Sequence, residues 1–300
     1  GRKGSYEMWI GRSLLHLAAS ATVAMLLGTW PCAAQLNPTD MGVLVPDTCS
    51  EATDVNSSGQ AIGYCYTPGV NGYRGFVWEG GVMTALPPLE GYSTCIPRDI
   101  NEVGQIVGES FDLATWDGEA CLWEYDQDSG AWEVTGLGLL PNATDSWVVG
   151  INNAGQILGV SSDYGGEATG QCCRGFLWEG GVMTELVSGS PFDHEDPAPI
   201  FEPVGLSESG VVAGNIWWCS CLWTDVWVPG PAGRWEGGAL TALTPGLDGK
   251  VATINSQGEV AGKFVDYTAD QTGYFWWLPE EAYDQTAGLH SVLYDSGEVG

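Results

Sequence analysis

The chain has 300 residues with 38 acids and 9 bases, a formal net charge of −29, and 44% of its residues are apolar. The apolar content allows a sizeable core. The charge excludes a surface built for nucleic acid or anionic lipid, since both need a basic field. The acids are scattered, which marks a solvating surface that suits cations and a salty habitat.

Residues 1–34 read as an address, not as part of a fold. Met8 is the first start, Arg12 carries charge, an apolar run extends from Leu14 to Gly28, and small residues follow at Cys32, Ala33 and Ala34. This order predicts a secretory signal peptide cleaved before Gln35, with residues 1–7 as upstream read-through. The run is too short for a membrane span. Cys32 as a lipoprotein acceptor is the weaker alternative, because Thr29-Trp30-Pro31 matches that signal poorly. Export removes Glu7, Arg2, Lys3 and Arg12, leaving 37 acids against 6 bases.

Eight cysteines remain: Cys49, Cys65, Cys95, Cys121, Cys172, Cys173, Cys219 and Cys221. An even number in an exported chain predicts disulfides. Cys219-x-Cys221 has the wrong spacing for zinc, and only His194 and His290 remain as imidazoles.

From residue 54 onward one unit recurs. It opens DVNSSGQAIG at 54, DINEVGQIVG at 99, GINNAGQILG at 150, GLSESGVVAG at 205 and TINSQGEVAG at 253. Its glycines are Gly59, Gly104, Gly155, Gly210 and Gly258. A second element follows: RGFVW at 74, EACLW at 119, RGFLW at 174, CSCLW at 219 and GYFWW at 273, which sets Trp78, Trp123, Trp178, Trp223 and Trp276 as repeat positions. A third element ends at Leu86, Leu137, Leu186 and Leu243. A sixth opening is read at Val292-Leu293-Tyr294-Asp295-Ser296-Gly297, stopping in mid-motif at Gly300.

Each unit reads as four short strands, A to D. The Asn-x-x-Gly step is the A-to-B turn, because both residues tolerate a left-handed backbone. β-branched residues in the Gln-Ile-Val-Gly run suit strand B. Gly-Phe-Val-Trp, apolar throughout, predicts a strand C covered on both faces. Glu-Gly-Gly then turns into strand D. No segment of 35–300 has helical periodicity. Four antiparallel strands at this period predict an all-β fold, a β-propeller over residues 35–300 with five complete copies and the start of a sixth. A parallel β-helix is the rival, but its coils are shorter and lack a hairpin in every repeat. Met41 to Pro46 resembles strand D with its following loop (Val82 to Pro87) and has no strand C before it, so it is expected to complete the last blade and close the ring.

These motifs resemble the HAF repeat family of extracellular bacterial proteins, whose units run Asp-Ile-Asn-x-x-Gly-Gln-Val-Val-Gly, His-Ala-Phe-Leu-Trp and Gly-x-Met-x-Asp-Leu. The resemblance covers residues 43–300. The His of the family name is replaced by Arg74, Glu119, Arg174 and Gly273, and Cys121 and Cys221 take the Phe position. The resemblance implies an extracellular location and no established reaction.

In a propeller blade the A-to-B and C-to-D turns share one face, and the B-to-C and D-to-A connections share the other. The long excursions, Tyr66–Tyr73, Phe111–Gly118, Pro141–Val148, Ser161–Gln171, Ser188–Pro203 and Lys263–Thr272, fall in the second set. This predicts a single loop-rich recognition face, with the cysteines on it as loop staples. Taking Asn56 opposite Gly59 puts Cys49 nearly opposite Cys65, within bridging distance; the other six cannot be paired from sequence.

Trp116-Asp117, with Trp147, Trp217 and Trp218, form candidate platforms for sugar rings, although Trp also packs between blades. Asp193-His194-Glu195-Asp196 is a weak candidate cation site, with calcium the cofactor implied by its oxygens. Asp54-x-Asn56-x-Ser58-Gly59 has calcium-loop spacing, but its copies lose oxygens, so the hairpin explains it better. Asp126-x-Asp128-x-Gly130-x-Trp132 reads as an acidic turn. No nucleophile elbow or phosphate loop is present, and paired carboxylates leave no local signature. The expected function is a secreted, non-catalytic protein binding a glycan or cell-surface component. A propeller glycoside hydrolase or lyase using paired carboxylates is the alternative, and a calcium-dependent scaffold the third reading.

Overall fold

The computed structural model describes residues 40–70, 72–115, 117–162, 174–186, 200–219, 227–266, 271–277 and 290–294. Residues Gly42–Gly300 form one unit, and every regular element described in it is a strand. Twenty strands make five antiparallel sheets of four. The first sheet holds β1 (Cys49–Val55), β2 (Ala61–Tyr66), β3 (Arg74–Glu79) and β4 (Val82–Ala85). The second holds β5 (Thr94–Ile100), β6 (Ile106–Phe111), β7 (Gly118–Asp126) and β8 (Ala131–Gly136). The third holds β9 (Asp145–Ile151), β10 (Ile157–Ser162), β11 (Arg174–Glu179) and β12 (Val182–Glu185). The fourth holds β13 (Ile200–Leu206), β14 (Val212–Cys219), β15 (Trp227–Glu236) and β16 (Ala239–Ala242). The fifth holds β17 (Asp248–Ile254), β18 (Val260–Asp266), β19 (Gln271–Trp277) and β20 (His290–Tyr294).

The repeated glycines do two different jobs. Those of the Asn-x-x-Gly turns lie at φ of +78° to +86°, where a side chain is strained. Those ending the Gln-x-x-Gly run answer a close approach. Every first strand carries a β-bulge, as between Pro97 and Asp99. The bulge drives a carbonyl of that strand towards its partner. A Cβ on Gly108 would lie 2.2 Å from the Ile96 carbonyl oxygen, and one on Gly63 would overlap that of Glu51.

Four buried clusters fill the four gaps between consecutive sheets. In the first gap Ile62, Val77 and Leu86 of one sheet meet Ile100, Ile106 and Trp123 of the next. Strand C is therefore covered on both faces, as its unbroken apolar run requires: Phe76 is fully buried and its neighbour Val77 is 4% exposed.

Side chains of the A-to-B turns link the sheets in series. Asn56 Nδ2 donates to the Asn101 carbonyl (3.2 Å), Asn101 Nδ2 to that of Asn152 (3.1 Å), and Asn152 Nδ2 to that of Ser207 (3.0 Å). The same Asn101 accepts from the Val103 and Gln105 backbone N–H groups through Oδ1. Asn101→Ala is expected to cost about 2 kcal/mol, since it leaves buried donors and an acceptor unpaired, and urea unfolding should register it. A loss below half of that would mean the turns are not coupled.

A second link depends on proline. The fourth residue of a first strand presents its N–H to the preceding sheet. Val148 donates to Glu109 (3.1 Å) and Val251 to Asn215 Oδ1 (2.9 Å). Where that residue is Pro97 or Pro203 there is no N–H, and Tyr64 and Val160 occupy the position that elsewhere supplies the acceptor. Pro203, expected in a loop, thus sits within β13, where its missing donor is not needed.

Several expectations are corrected. Val292 to Tyr294 do not open a sixth copy; they belong to β20, which pairs with β19 and completes the fifth sheet. Met41 to Pro46 form no strand. Their role is that of the loop after strand D: Leu44 N–H donates to Cys65 Sγ (3.3 Å) as Leu89 does to Ser110 Oγ (2.9 Å) and Leu140 to Ser161 Oγ (3.2 Å). In the fourth copy strand C is β15, not CSCLW. Trp235 pairs with Val212 as Trp78 pairs with Ala61, so Trp235 replaces Trp223, which lies outside the described residues. In the fifth copy Trp277 pairs with Val260 and takes the position assigned to Trp276.

Cys49 and Cys65 are free thiols. Cys49 pairs with Tyr66 and Cys65 with Ser50, so alternation sends the two thiols to opposite faces of the sheet. Cys95 and Cys121 are also free and are packed in the first gap, not on a loop face. Cys172, Cys173 and Cys221 lie outside the described residues, as does the side chain of Cys219. β19 ends at Trp277 and its partner β20 begins at His290, against Glu79 and Val82 for β3 and β4, so the long connections are not all of the B-to-C and D-to-A kind.

Candidate functional site

The described members of the sequence-derived platforms do not form one cluster. Asp117 is exposed, closing the 112–117 turn with its carbonyl accepting from Asp112 N–H (3.0 Å). Trp147 pairs with Val160 on the face of the third sheet that meets the fourth. Trp217 lies beyond the fourth sheet, on the side of Asn215, and its Nε1 donates to Glu202 (2.8 Å). The fourth sheet thus separates the two indoles. Trp116, the Trp218 side chain and Asp193-His194-Glu195-Asp196 lie outside the described residues.

The oxygens of the Asp54–Gly59 segment serve the hairpin: Asn56 Oδ1 accepts from Ser58 Oγ and Gln60 N–H, and Asp54 Oδ2 from Ile100 N–H. Among the described residues no three His, Cys, Asp or Glu side chains are grouped to hold a metal. Asp126 caps its own turn, accepting from the N–H groups of Asp128 and Ser129, and the Ser129 side-chain hydrogen bond, followed by those two, holds its carboxyl below the usual range.

A cleft of about 1160 Å³ lies between the first and second sheets. It arises from unequal hairpins. β7 has 9 residues where β3 has 6, so the tip of the β7–β8 hairpin overhangs the β3–β4 turn. Tyr125 and Trp132 pair directly across that hairpin, with ring centroids 5.6 Å apart at 64°. Tyr125 is 44% exposed and Trp132 half-buried, so the pair offers the cleft an edge and a face.

Carboxylates stand on both walls, held by the turn amides. Gln60 Nε2 donates to Glu79 (3.3 Å), and Gln105 Nε2 donates to Glu124 (2.7 Å). Each Gln is itself fixed through Oε1 by Asn56 or Asn101. Arg74, the only cation lining the cleft among the described residues, is bound to Asp47 at 2.7 Å, so the described lining is net acidic.

The inner wall includes Val77, Leu86 and Cys95. Burial pushes the Cys95 thiol up to about 11, so it is un-ionised at neutral pH and a poor nucleophile. Beyond Tyr73, Tyr64 and Tyr66 both donate to the Glu51 carboxylate (2.6 and 3.1 Å), and burial followed by that bond raises Tyr64. Glu202 with Asn215 and Trp217 repeats this arrangement in the fourth sheet.

Tyr125 carries no motif in the sequence, and Trp132 reads there only as the end of an acidic turn. The usable signal was the length of EYDQDSGAWEV against the terse Glu-Gly-Gly turns. No helix among the described residues is long and apolar enough to cross a membrane. No protein-family model matches the chain, and no match was found among curated proteins.

Proposed function

We propose that the chain is an exported β-propeller of the HAF-repeat type that binds a neutral or amino-bearing glycan in the cleft between its first two sheets, without catalysis. The propeller is supported by the stacking of each first strand on the preceding sheet and by the linked turns, as expected when first strands lie innermost about one axis. The observation that carries the ligand class is the Tyr125–Trp132 pair beside Glu79 and Glu124. Aromatic rings cover the C–H faces of a sugar while fixed carboxylates and amides take its hydroxyls. The acidic lining disfavours uronates and sulfates.

Calorimetry with cello-, xylo- and chito-oligosaccharides is expected to give saturable binding to at least one series. Trp132→Ala should weaken that binding by about 2 kcal/mol, or roughly thirtyfold. Absence of binding by every series would refute the assignment. The facing carboxylates also favour a second reading, a glycoside hydrolase. New reducing ends that vanish in Glu79→Gln or Glu124→Gln would replace the first reading with the second.

A further inference from the structure

The fifth sheet turns one face to the fourth, through Val251, Val260, Phe264 and Phe275. Arg234 of the fourth sheet seals that gap, 4.6 Å over the ring of Trp277. The other face carries Lys250, Lys263, Tyr274 and Trp276, placed together by the register: Lys250 is opposite Lys263, Lys263 is opposite Tyr274, and Ala261 is opposite Trp276. Tyr274 is 55% and Trp276 51% exposed. Val77, Leu122 and Leu177, at the position of Trp276 in the first three sheets, are 4–7% exposed because the next sheet covers them.

This face is built differently from those that the next sheet covers. At the position of Tyr274 the earlier sheets have Gly75, Ala120, Gly175 and Ala232. The reason is contact: a Cβ on Gly75 would already lie 3.0 Å from Cys95 and Pro97 of the following strand. A tyrosine there blocks that approach. Lys263, at the position where Glu109 and Asn215 accept an N–H from the next sheet, offers no acceptor.

The charge pattern says what the face does suit. The sequence holds three lysines, and these are two of them in a chain of net charge −29. All four arginines described are in salt bridges, to Asp47, Glu109, Glu185 and Glu236. Neither lysine has a salt bridge among the described residues, and Asp248, two residues before Lys250, does not supply one. Like charges directly opposite on paired strands destabilise a sheet, and an external anion relieves this.

We infer that Lys250 and Lys263, with the rings of Tyr274 and Trp276, form a second binding site that takes a short saccharide bearing a carboxylate, a uronic-acid type of sugar. The rings cover the apolar face of the sugar and the ammonium pair meets its carboxylate. The surrounding negative field disfavours long polyanions, while screening over about 10 Å at 0.1 M salt leaves the local pair dominant for a small ligand. The site is separate from the cleft and does not rest on the cleft's assignment.

The test is calorimetry of the whole chain with trigalacturonate and, as the neutral counterpart, galactotriose. Trigalacturonate should bind at least tenfold more tightly than galactotriose, and Lys250→Gln or Lys263→Gln should each weaken it about tenfold. Trp276→Ala should weaken it too, with an unchanged melting temperature, and Trp132→Ala should leave it intact. Equal binding of the two sugars, no binding, or indifference to the lysine substitutions would overturn the proposal. So would a concentration-dependent rise in mass that Lys263→Gln abolishes, which would make the occupant a second copy.

Discussion

Gly108→Ala is expected to be the most damaging single methyl group in the second sheet, lowering stability by about 3 kcal/mol, the upper end for overpacking. The added Cβ would lie 2.2 Å from the Ile96 carbonyl oxygen and 2.7 Å from Pro97 Cα. Both are backbone atoms of the bulged partner strand, so relief requires the β5–β6 pairing itself to open. Gly104→Ala, four residues away, supplies the contrast. Its conflict is conformational, at φ +85°, and its nearest neighbour is the end of the flexible Gln60 side chain at 3.2 Å, so about 1–2 kcal/mol is expected. For a domain of this size the Gly108 variant should melt roughly 6–12 °C lower. If calorimetry ranked Gly104→Ala as the worse of the two, the bulge would not be where the register puts it.

The second large effect concerns pH. Asp54 Oδ2 accepts from Ile100 N–H (3.1 Å), and Asp99 Oδ2 from Ile151 N–H (2.9 Å), so two carboxyls join three consecutive first strands. Burial, followed by a hydrogen bond with Asp54, pushes Asp99 up to about 7. An unfolded aspartate releases its proton near 4, so between about pH 4 and 7 the folded chain binds the extra proton. The stability this confers is complete below about pH 4 and is lost as pH rises through 7. Asp99→Asn keeps an oxygen for Ile151 and a donor for Asp54, yet never ionises. It should match the parent chain near pH 4 and exceed it at pH 8 by on the order of 4 kcal/mol. Urea unfolding of both chains from pH 4 to 8 reads the difference directly. A constant difference across that range would show that Asp99 does not hold its proton in the fold.

Why some features were readable and others were not follows from their range in the chain. The Asn-x-x-Gly and Glu-Gly-Gly turns were legible because their chemistry is complete within four residues. Gly59 and its counterparts, and Gly80 with Gly81, lie at positive φ as those turns demand. Strand C was legible in four copies from an unbroken apolar run. It failed in the fourth, where CSCLW imitates the motif and only pairing with β14 identifies Gly233-Arg234-Trp235 as the true strand. The bridge between Cys49 and Cys65 failed on a single residue of register, with a bulge in the strand pair between them. The Tyr125–Trp132 cleft went unnoticed because it is a difference between neighbouring hairpins, not a property of either.

The repeat, its four-stranded unit and its turns are written into the chain, because tight turns and alternating or continuous apolar runs are encoded by adjacent residues. Which strand completes the fifth sheet, which cysteines face apart, and where aromatic rings, carboxylates and lysines come together are outcomes of packing. Those outcomes depend on register and on which sheet covers which face. They are set by pairing between strands and by contacts between sheets, where a one-residue shift reverses every side chain.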